Sequence, residues 1–526
     1  MIFYLLATVV CLVLGQYLLQ TYRFRRYGVK YVTPVPLLGN TAKTLLRITA
    51  HSEQLVEMYN KFSSERFYGR FEFIAPIVEV RDVELVKKIV VKDFDNFPDR
   101  RKRNDDLDIG LARSVAMMTG QDWKDMRSTL SPAFTSSKIR LMVPFMVEVG
   151  DQMLLSLKEK MKGSKTGKLE INVRDLTARY ANDVIATCAF GLKVDSHTNA
   201  VNEFFTNGKA LASFSFRDNV LLLLSFNFPS LSKLIQFDFS KADRFFSNIF
   251  SRTIKDREAQ STIRPDLIHL LVEANKGKLK HEDTKSDESV GFATVEESSI
   301  GRKQINKVWA ERDLVAQAVV FFIAGFETIS TTMTFLMYEM ARNPDVQERL
   351  AQEIKETDAK NGGKLDFEAI QKMEYLDMVI TEVLRMWPPV ANLDRYCAKD
   401  YNIGKPNKTA DKDFIVKSGT GVSVPVYAFH RDPAYYPNPE QFDPERFSDE
   451  NKHKIPSFAY MPFGLGPRNC IGSRFALCEL KIMTYQILQH FVISPCAKTL
   501  IPPVISKDNI NLRIKGGDWT AFECRE

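Results

Sequence analysis

Apolar positions along this chain recur mostly at helical spacing and alternate in only a few short runs. Residues 139–163 and 170–190 carry an apolar stripe with a period near 3.6, which predicts amphipathic helices, and residues 345–359 and 367–387 continue that pattern. Residues 310–342 are strongly apolar and predict one long helix, and residues 471–490 read as another. Residues 72–92 look like short strands leading into a helix, and residues 395–426 mix turn residues with short β-prone runs. The pattern predicts a mainly α protein with a minor β part and no internal repeat.

Three stretches depart from it. Residues 1–19 (MIFYLLATVVCLVLGQYLL) hold no charged side chain and are close to the length of a bilayer-crossing helix. Arg23, Arg25, Arg26 and Lys30 follow at once, so the positive-inside rule puts the rest of the chain in the cytoplasm. A cleaved leader would have a basic start and a shorter apolar core. Residues 1–22 are therefore expected to be an anchor, residues 23–40, with Pro34 and Pro36, a basic and proline-rich linker, and residues 41–526 the catalytic body. Residues 213–237 are apolar and aromatic but broken by Arg217, Asp218 and Pro229, and read either as a core helix pair or as a lid that dips into a membrane surface. Residues 276–308 are polar and charged and predict a long exposed loop.

Composition narrows the class. The 526 residues are 44% hydrophobic, with 37 Phe, enough for a large core or an apolar pocket. A net charge of +7, with the cations scattered among 65 acids, suits an anionic membrane surface or acidic protein partners and points to no nucleic acid. Seven cysteines without a Cys-x-x-Cys spacing argue against a disulfide framework.

One cysteine sits in a context of its own. Residues 463–472 read Phe463-Gly464-Leu465-Gly466-Pro467-Arg468-Asn469-Cys470-Ile471-Gly472, a tight loop that opens directly into a helical pattern. A cysteine at a helix N-terminus feels the positive end of the dipole, and turned-in amides can stabilise a thiolate. Gly466 and Gly472 would let a flat bulky group approach the backbone, and Arg468 offers a fork of donors for a carboxylate. A structural cysteine on a glycine-rich turn and a reactive nucleophile remain as alternatives. The ten residues nevertheless match the full haem-binding signature of the cytochrome P-450 superfamily, Phe463-x-x-Gly466-x-Arg468-x-Cys470-x-Gly472. The chain is identified as resembling that superfamily over essentially its whole length.

Further motifs follow in the order that the resemblance requires. Ala324-Gly325-Phe326-Glu327-Thr328 lies on the long helix. Small residues let a flat cofactor lie against a helix, and Thr328 can bond back to the preceding turn and open a polar notch. An acid beside a hydroxyl there suits proton delivery, although a small-residue helix crossing would read the same way. The stretch is similar to the family's oxygen-activation motif, except that Ile329 stands where a second Thr or Ser is usual. Glu382 and Arg385 share a helix face and run into Met386-Trp387-Pro388-Pro389. With Arg446 of Pro444-Glu445-Arg446-Phe447, they resemble the family's buried three-way network. Glu339 and Arg342 have the same spacing and read as a surface pair. Trp123-x-x-x-Arg127 resembles the helix whose Trp and Arg bond a haem propionate, and Arg395 occupies a position that often does the same, with an ordinary exposed Arg as the alternative. The tracts 128–140 and 94–101 look like insect microsomal members.

The resemblance implies the P-450 fold, with haem b (iron protoporphyrin) between the long helix and the cysteine loop. It implies Cys470 as axial ligand of the iron, and Thr328 with Glu327 as the catalytic pair. Arg468, Arg127, Trp123 and Arg395 would hold the propionates, with Phe463, Gly464, Gly472 and Ala324 bedding the cofactor. The implied reaction inserts one atom of O2 into a lipophilic small molecule, plant toxins or insecticides being the expected class. The chain lacks a Gly-x-Gly-x-x-Gly after a strand and a phosphate-binding loop, so electrons must come from a separate NADPH–cytochrome P-450 reductase, with cytochrome b5 a second candidate donor. The expected place is the endoplasmic reticulum membrane, catalytic body on the cytoplasmic side. The pocket is expected from residues near 105–122, 213–237, Phe321 to Thr328 and Val390 to Leu393. Rival readings are a haem-thiolate isomerase or dehydratase, and a non-catalytic haem- or lipophile-binding membrane protein.

Overall fold

The most apolar 18-residue window of the helix Glu311–Arg342 is 78% buried, so this helix is the spine of the core and not a membrane span. The computed structural model describes residues 4, 15–19, 21–100, 110–199, 201–228, 230, 234, 237, 240–260, 264–277, 291–303, 305 and 307–525. Most of the expected anchor lies outside the described residues, as do parts of the stretches 105–122, 213–237 and 276–308.

The spine is flanked by Val173–Phe190, Glu203–Ala212 and Ser240–Gln260 and is crossed by Ser473–His490. It is mostly buried because apolar side chains circle it, as a helix enclosed by others requires. Phe322, near its middle, stacks on Phe246 at 4.4 Å and meets Phe204 edge-on at 5.7 Å. A four-stranded sheet runs Phe67–Glu72, Ala75–Val80, Gly421–Val424, Leu393–Tyr396, antiparallel except between the middle two strands. Residues 23–40 lie against it: Phe24 is buried between Phe71 and Phe414, and Asn40 accepts a bond from the amide of Phe71. A smaller sheet orders Lys168–Asn172, Trp519–Cys524 and Phe491–Ser494.

The expected helices are present, with two instructive differences. Residues 367–387 break into Phe367–Gln371 and Glu374–Met386. The second helix has its free N-terminal amides at Tyr375 and Leu376 taken by the Glu353 carboxylate at 2.8 and 2.9 Å, so a neighbouring helix caps what the local sequence would have continued. Glu339, read as half of a surface pair, is fully buried: Trp387 Nε1 donates to it at 2.9 Å, with Arg342 at 3.5 Å. The expected loop 276–308 is not free over residues 291–303, because Phe292 packs between Phe447 and Tyr460 at 5.0 and 5.2 Å.

Behind the cysteine loop, Arg385 grips Glu382 through two bonds of 2.6 and 2.8 Å, both side chains wholly buried, and Arg446 reaches the same carboxylate at 3.4 Å. Arg385 also donates to the carbonyls of His430 and Pro439. The His430 ring spans from the Arg385 carbonyl at Nδ1 (3.0 Å) to the amide of Met461 at Nε2 (2.9 Å), which requires a neutral ring with its proton on Nδ1. Met461 in turn accepts from Gly464, the first glycine of the cysteine loop.

Burial, then the Arg385 cation, pushes His430 down to about 3, and burial pushes His197, whose ring nitrogens have no partner among the described residues, down to about 4. An unfolded histidine titrates near about 6.5, so acid protonates the unfolded chain first, and each pH unit below that value removes up to about 1.4 kcal/mol per histidine. The histidine contribution to stability should therefore be full above the unfolded value and fall as the pH drops towards the folded values, and denaturant unfolding of His430→Gln should show a smaller loss over that range.

Candidate active site

The cysteine loop is held open by its glycines for different reasons. Gly464 and Gly466 have φ of +74° and +69°, the left-handed region that disfavours side chains. A Cβ on Gly466 would stand 1.9 Å from the Val90 carbonyl oxygen, so this glycine lets the loop lean on residues 88–92 and does not, as the sequence suggested, clear room for a flat group. Gly472 does leave room: a Cβ there meets only the Phe134 ring, at 3.7 Å. The Cys470 amide donates to the Phe463 carbonyl at 2.8 Å, closing the loop just before Ser473–His490.

Cys470 is solvent-accessible only in the sense that it faces a cavity of about 340 Å³ between the loop and the spine helix. Ala324, Gly325 and Thr328 form one wall, and Phe463, Gly464, Cys470 and Gly472 the other. Trp123 and Arg127 border it, as do Arg100, Arg395 and Arg468. The sequence had grouped nearly all of these; Gly325 also packs against Ile185, so the helix crossing and the open wall use the same small residues. Burial pushes the Cys470 thiol up, against the Gly472 amide and the Arg127 and Arg100 guanidiniums, which favour the thiolate. A metal cation is the partner that would overcome the burial cost.

The arginines are not balanced. Arg468 donates to the Pro98 and Met118 carbonyls at 2.8 Å, reaches Asp99 at 3.1 Å and lies 3.8 Å over the Trp123 ring. Arg395 is 3% exposed, its Nη1 donates to the Asp394 carbonyl, and its Nε has no partner among the described residues. Burial and the neighbouring Arg100 push Arg468 down to about 8 and Arg395 down to about 10. Three guanidiniums with two carboxylate neighbours, Asp99 and Asp394, fit a ligand that brings its own acids, as the two propionates of haem would. Arg100 escaped the sequence reading; its signal was the Asp99-Arg100-Arg101 run, quoted there only as a likeness.

Thr328 Oγ1 donates to the Ala324 carbonyl at 2.6 Å, the back-bond expected from the motif, while the helix stays continuous. Glu327 is saturated. Arg174 and Ser213 donate to one oxygen at 2.7 and 3.2 Å, and Arg513 and Asn511 to the other at 2.8 and 3.2 Å. These four partners come from distant parts of the chain, and no spacing signalled them. Glu327 and Thr328 also line a second cavity, about 370 Å³, with Leu222, Phe226, Ile323 and Val390. So the described helix of the 213–237 stretch, Phe216–Asn227, covers a pocket.

A mainly helical body closes an arginine-rimmed cavity between the spine helix and the loop that presents Cys470. Comparison with known proteins makes the class specific. The Cytochrome P450 family model matches residues 30–521. The chain is 41% identical to cytochrome P450 9e2 of Blattella germanica, over 98% of this chain and 96% of that protein. It is 39% identical to probable cytochrome P450 9f2 of Drosophila melanogaster, over 94% of each, and 35% identical to cytochrome P450 6k1 of Blattella germanica, over 94% and 92%. The chain belongs to the cytochrome P450 family; it is a monooxygenase, and the family implies a haem-iron cofactor.

An unpaired buried cation costs stability that its removal returns. Arg395→Met should therefore stabilise the haem-free protein by about 1–3 kcal/mol, read as a higher denaturation midpoint.

Proposed function

We propose that this chain is a membrane-anchored microsomal monooxygenase of lipophilic small molecules, plant toxins or insecticides foremost. It would take electrons from NADPH through a separate reductase, with cytochrome b5 as a second donor. The observation that carries the reading is that Cys470 lines one cavity with Ala324, Gly325 and Thr328, beside a surplus of arginine charge. The apolar second cavity supports the lipophilic substrate class. The uncharged stretch 1–19 followed by basic residues supports the anchor at residues 1–22 and an endoplasmic reticulum location facing the cytoplasm. A net charge of +7 suits an acidic electron donor.

In this reading Cys470 would hold the iron of haem b through its sulfur. Bound there, the haem supplies oxygen activation, which a thiolate favours by donating electron density. Gly472 and Ala324 would leave room for the ring, with Phe463, Gly464 and Trp123 beside it. Arg395, Arg468 and Arg100 would hold the propionates, while Arg127 has most of its donors on protein acceptors. Leu222, Phe226, Ile323 and Val390 hold the substrate by apolar contact and exclude water. Thr328 holds a proton at Oγ1 and passes it when its bond to the Ala324 carbonyl opens. Glu327 moves a proton only after surrendering one of its four donors, so Arg174 and Arg513 set how readily it does so.

Cys470→Ala should abolish the thiolate-type carbon monoxide difference band, and a retained band would overturn the ligand assignment. With a reductase and a lipophilic probe, Thr328→Ala should raise hydrogen peroxide release per NADPH consumed by about tenfold or more. Unchanged coupling removes Thr328 from its role.

A further inference from the structure

Residues 291–303 form a strap whose middle lies against Asn469, the residue before the cysteine. One end is fixed by Phe292, whose amide donates to Asp377 at 3.2 Å. The other is fixed where Ser128 Oγ donates to the Lys303 carbonyl. Between them the Glu297 carboxylate accepts from Arg127 Nη2 at 2.6 Å and Nε at 3.2 Å, and the Glu296 carbonyl accepts from Asn469 Nδ2 at 2.9 Å. Arg127 closes the circuit by donating to the Asn469 carbonyl and side-chain oxygen at 2.8 and 2.7 Å. Gly301 makes the arrangement possible, since a Cβ there would stand 2.3 Å from the Glu297 carboxylate.

Asn469 is the residue before Cys470. Arg127 and Asn469 both line the cavity, whereas Glu297 does not, so Glu297 acts on the site through them. Four of the five N–H groups of Arg127 are occupied by Glu297 and Asn469, and its charge is offset by a carboxylate from the strap. We propose that Glu297 is a positioning residue. It locks Arg127 onto the backbone that presents the sulfur, and its negative charge lowers the electron affinity of the metal centre. This rests on the reading of Cys470 as the iron ligand.

The test is the reduction midpoint of haem-loaded, full-length protein whose thiolate carbon monoxide band is intact. Glu297→Gln keeps the size and removes the charge. Reduced haem at a fixed potential should increase by about three- to tenfold, tenfold being about 59 mV for one electron. Glu297→Asp should restore the wild-type value. Unchanged reduction in Glu297→Gln overturns the proposal. So does an equal shift in both variants, which leaves Glu297 only a strut. If Glu297→Gln takes up no haem, Glu297→Asp decides alone: wild-type loading and potential support the charge role, and failed loading overturns it. Loss of the thiolate band only in Cys470→Ala keeps the ligand assignment separate from this outcome.

Discussion

Two opposite charges with no exposed side-chain surface, Glu382 and Arg385, are the constraint on which the site rests. Burying ions is costly unless their bonds are filled, and here every direction is used: carboxylate, two backbone carbonyls, Arg446 and the amide of Asp443. The pair alone would only balance its own desolvation. Its larger effect is geometric, because it fixes His430, His430 fixes the amide of Met461, and Met461 fixes the turn into the cysteine loop. Position is thus transmitted from a charged knot to a sulfur through rigid, fully satisfied hydrogen bonds.

On the cavity side the same economy is deliberately incomplete. Arg395 has a buried Nε with no acceptor among the described residues, and Arg100 and Arg468 add like charge beside it. A protein interior tolerates such imbalance when a ligand is to complete it, so cofactor binding and folding stability are coupled here. Arg127 is the exception in the set, because the strap and the cysteine loop already satisfy most of its donors.

Much of this was legible in the chain. The cysteine loop, the Ala324–Thr328 wall and the Glu382–Arg385–Arg446 network are written in short local spacings, and periodicity placed most of the long helices within a few residues but passed over Ser240–Gln260. What stayed hidden depends on residues far apart in sequence. Arg174 and Arg513 meet at Glu327, Glu353 caps a helix 22 residues away, and Glu297 finds Arg127 across 170 positions. Glu339 looked superficial because i, i+3 spacing says which residues can pair and nothing about which face is covered. Charge in 276–308 suggested solvent for the same reason, although Phe292 carries its near end into the core.

Ala324 and Thr328 border both the cavity beneath the helix and the one beyond it. A change at either position therefore reshapes both cavities at once. Leu222, Phe226 and Ile510 touch only the outer chamber. The rim that Phe216–Asn227 and Ile510 supply can thus be recut residue by residue, altering the outer chamber while the shared wall keeps its shape.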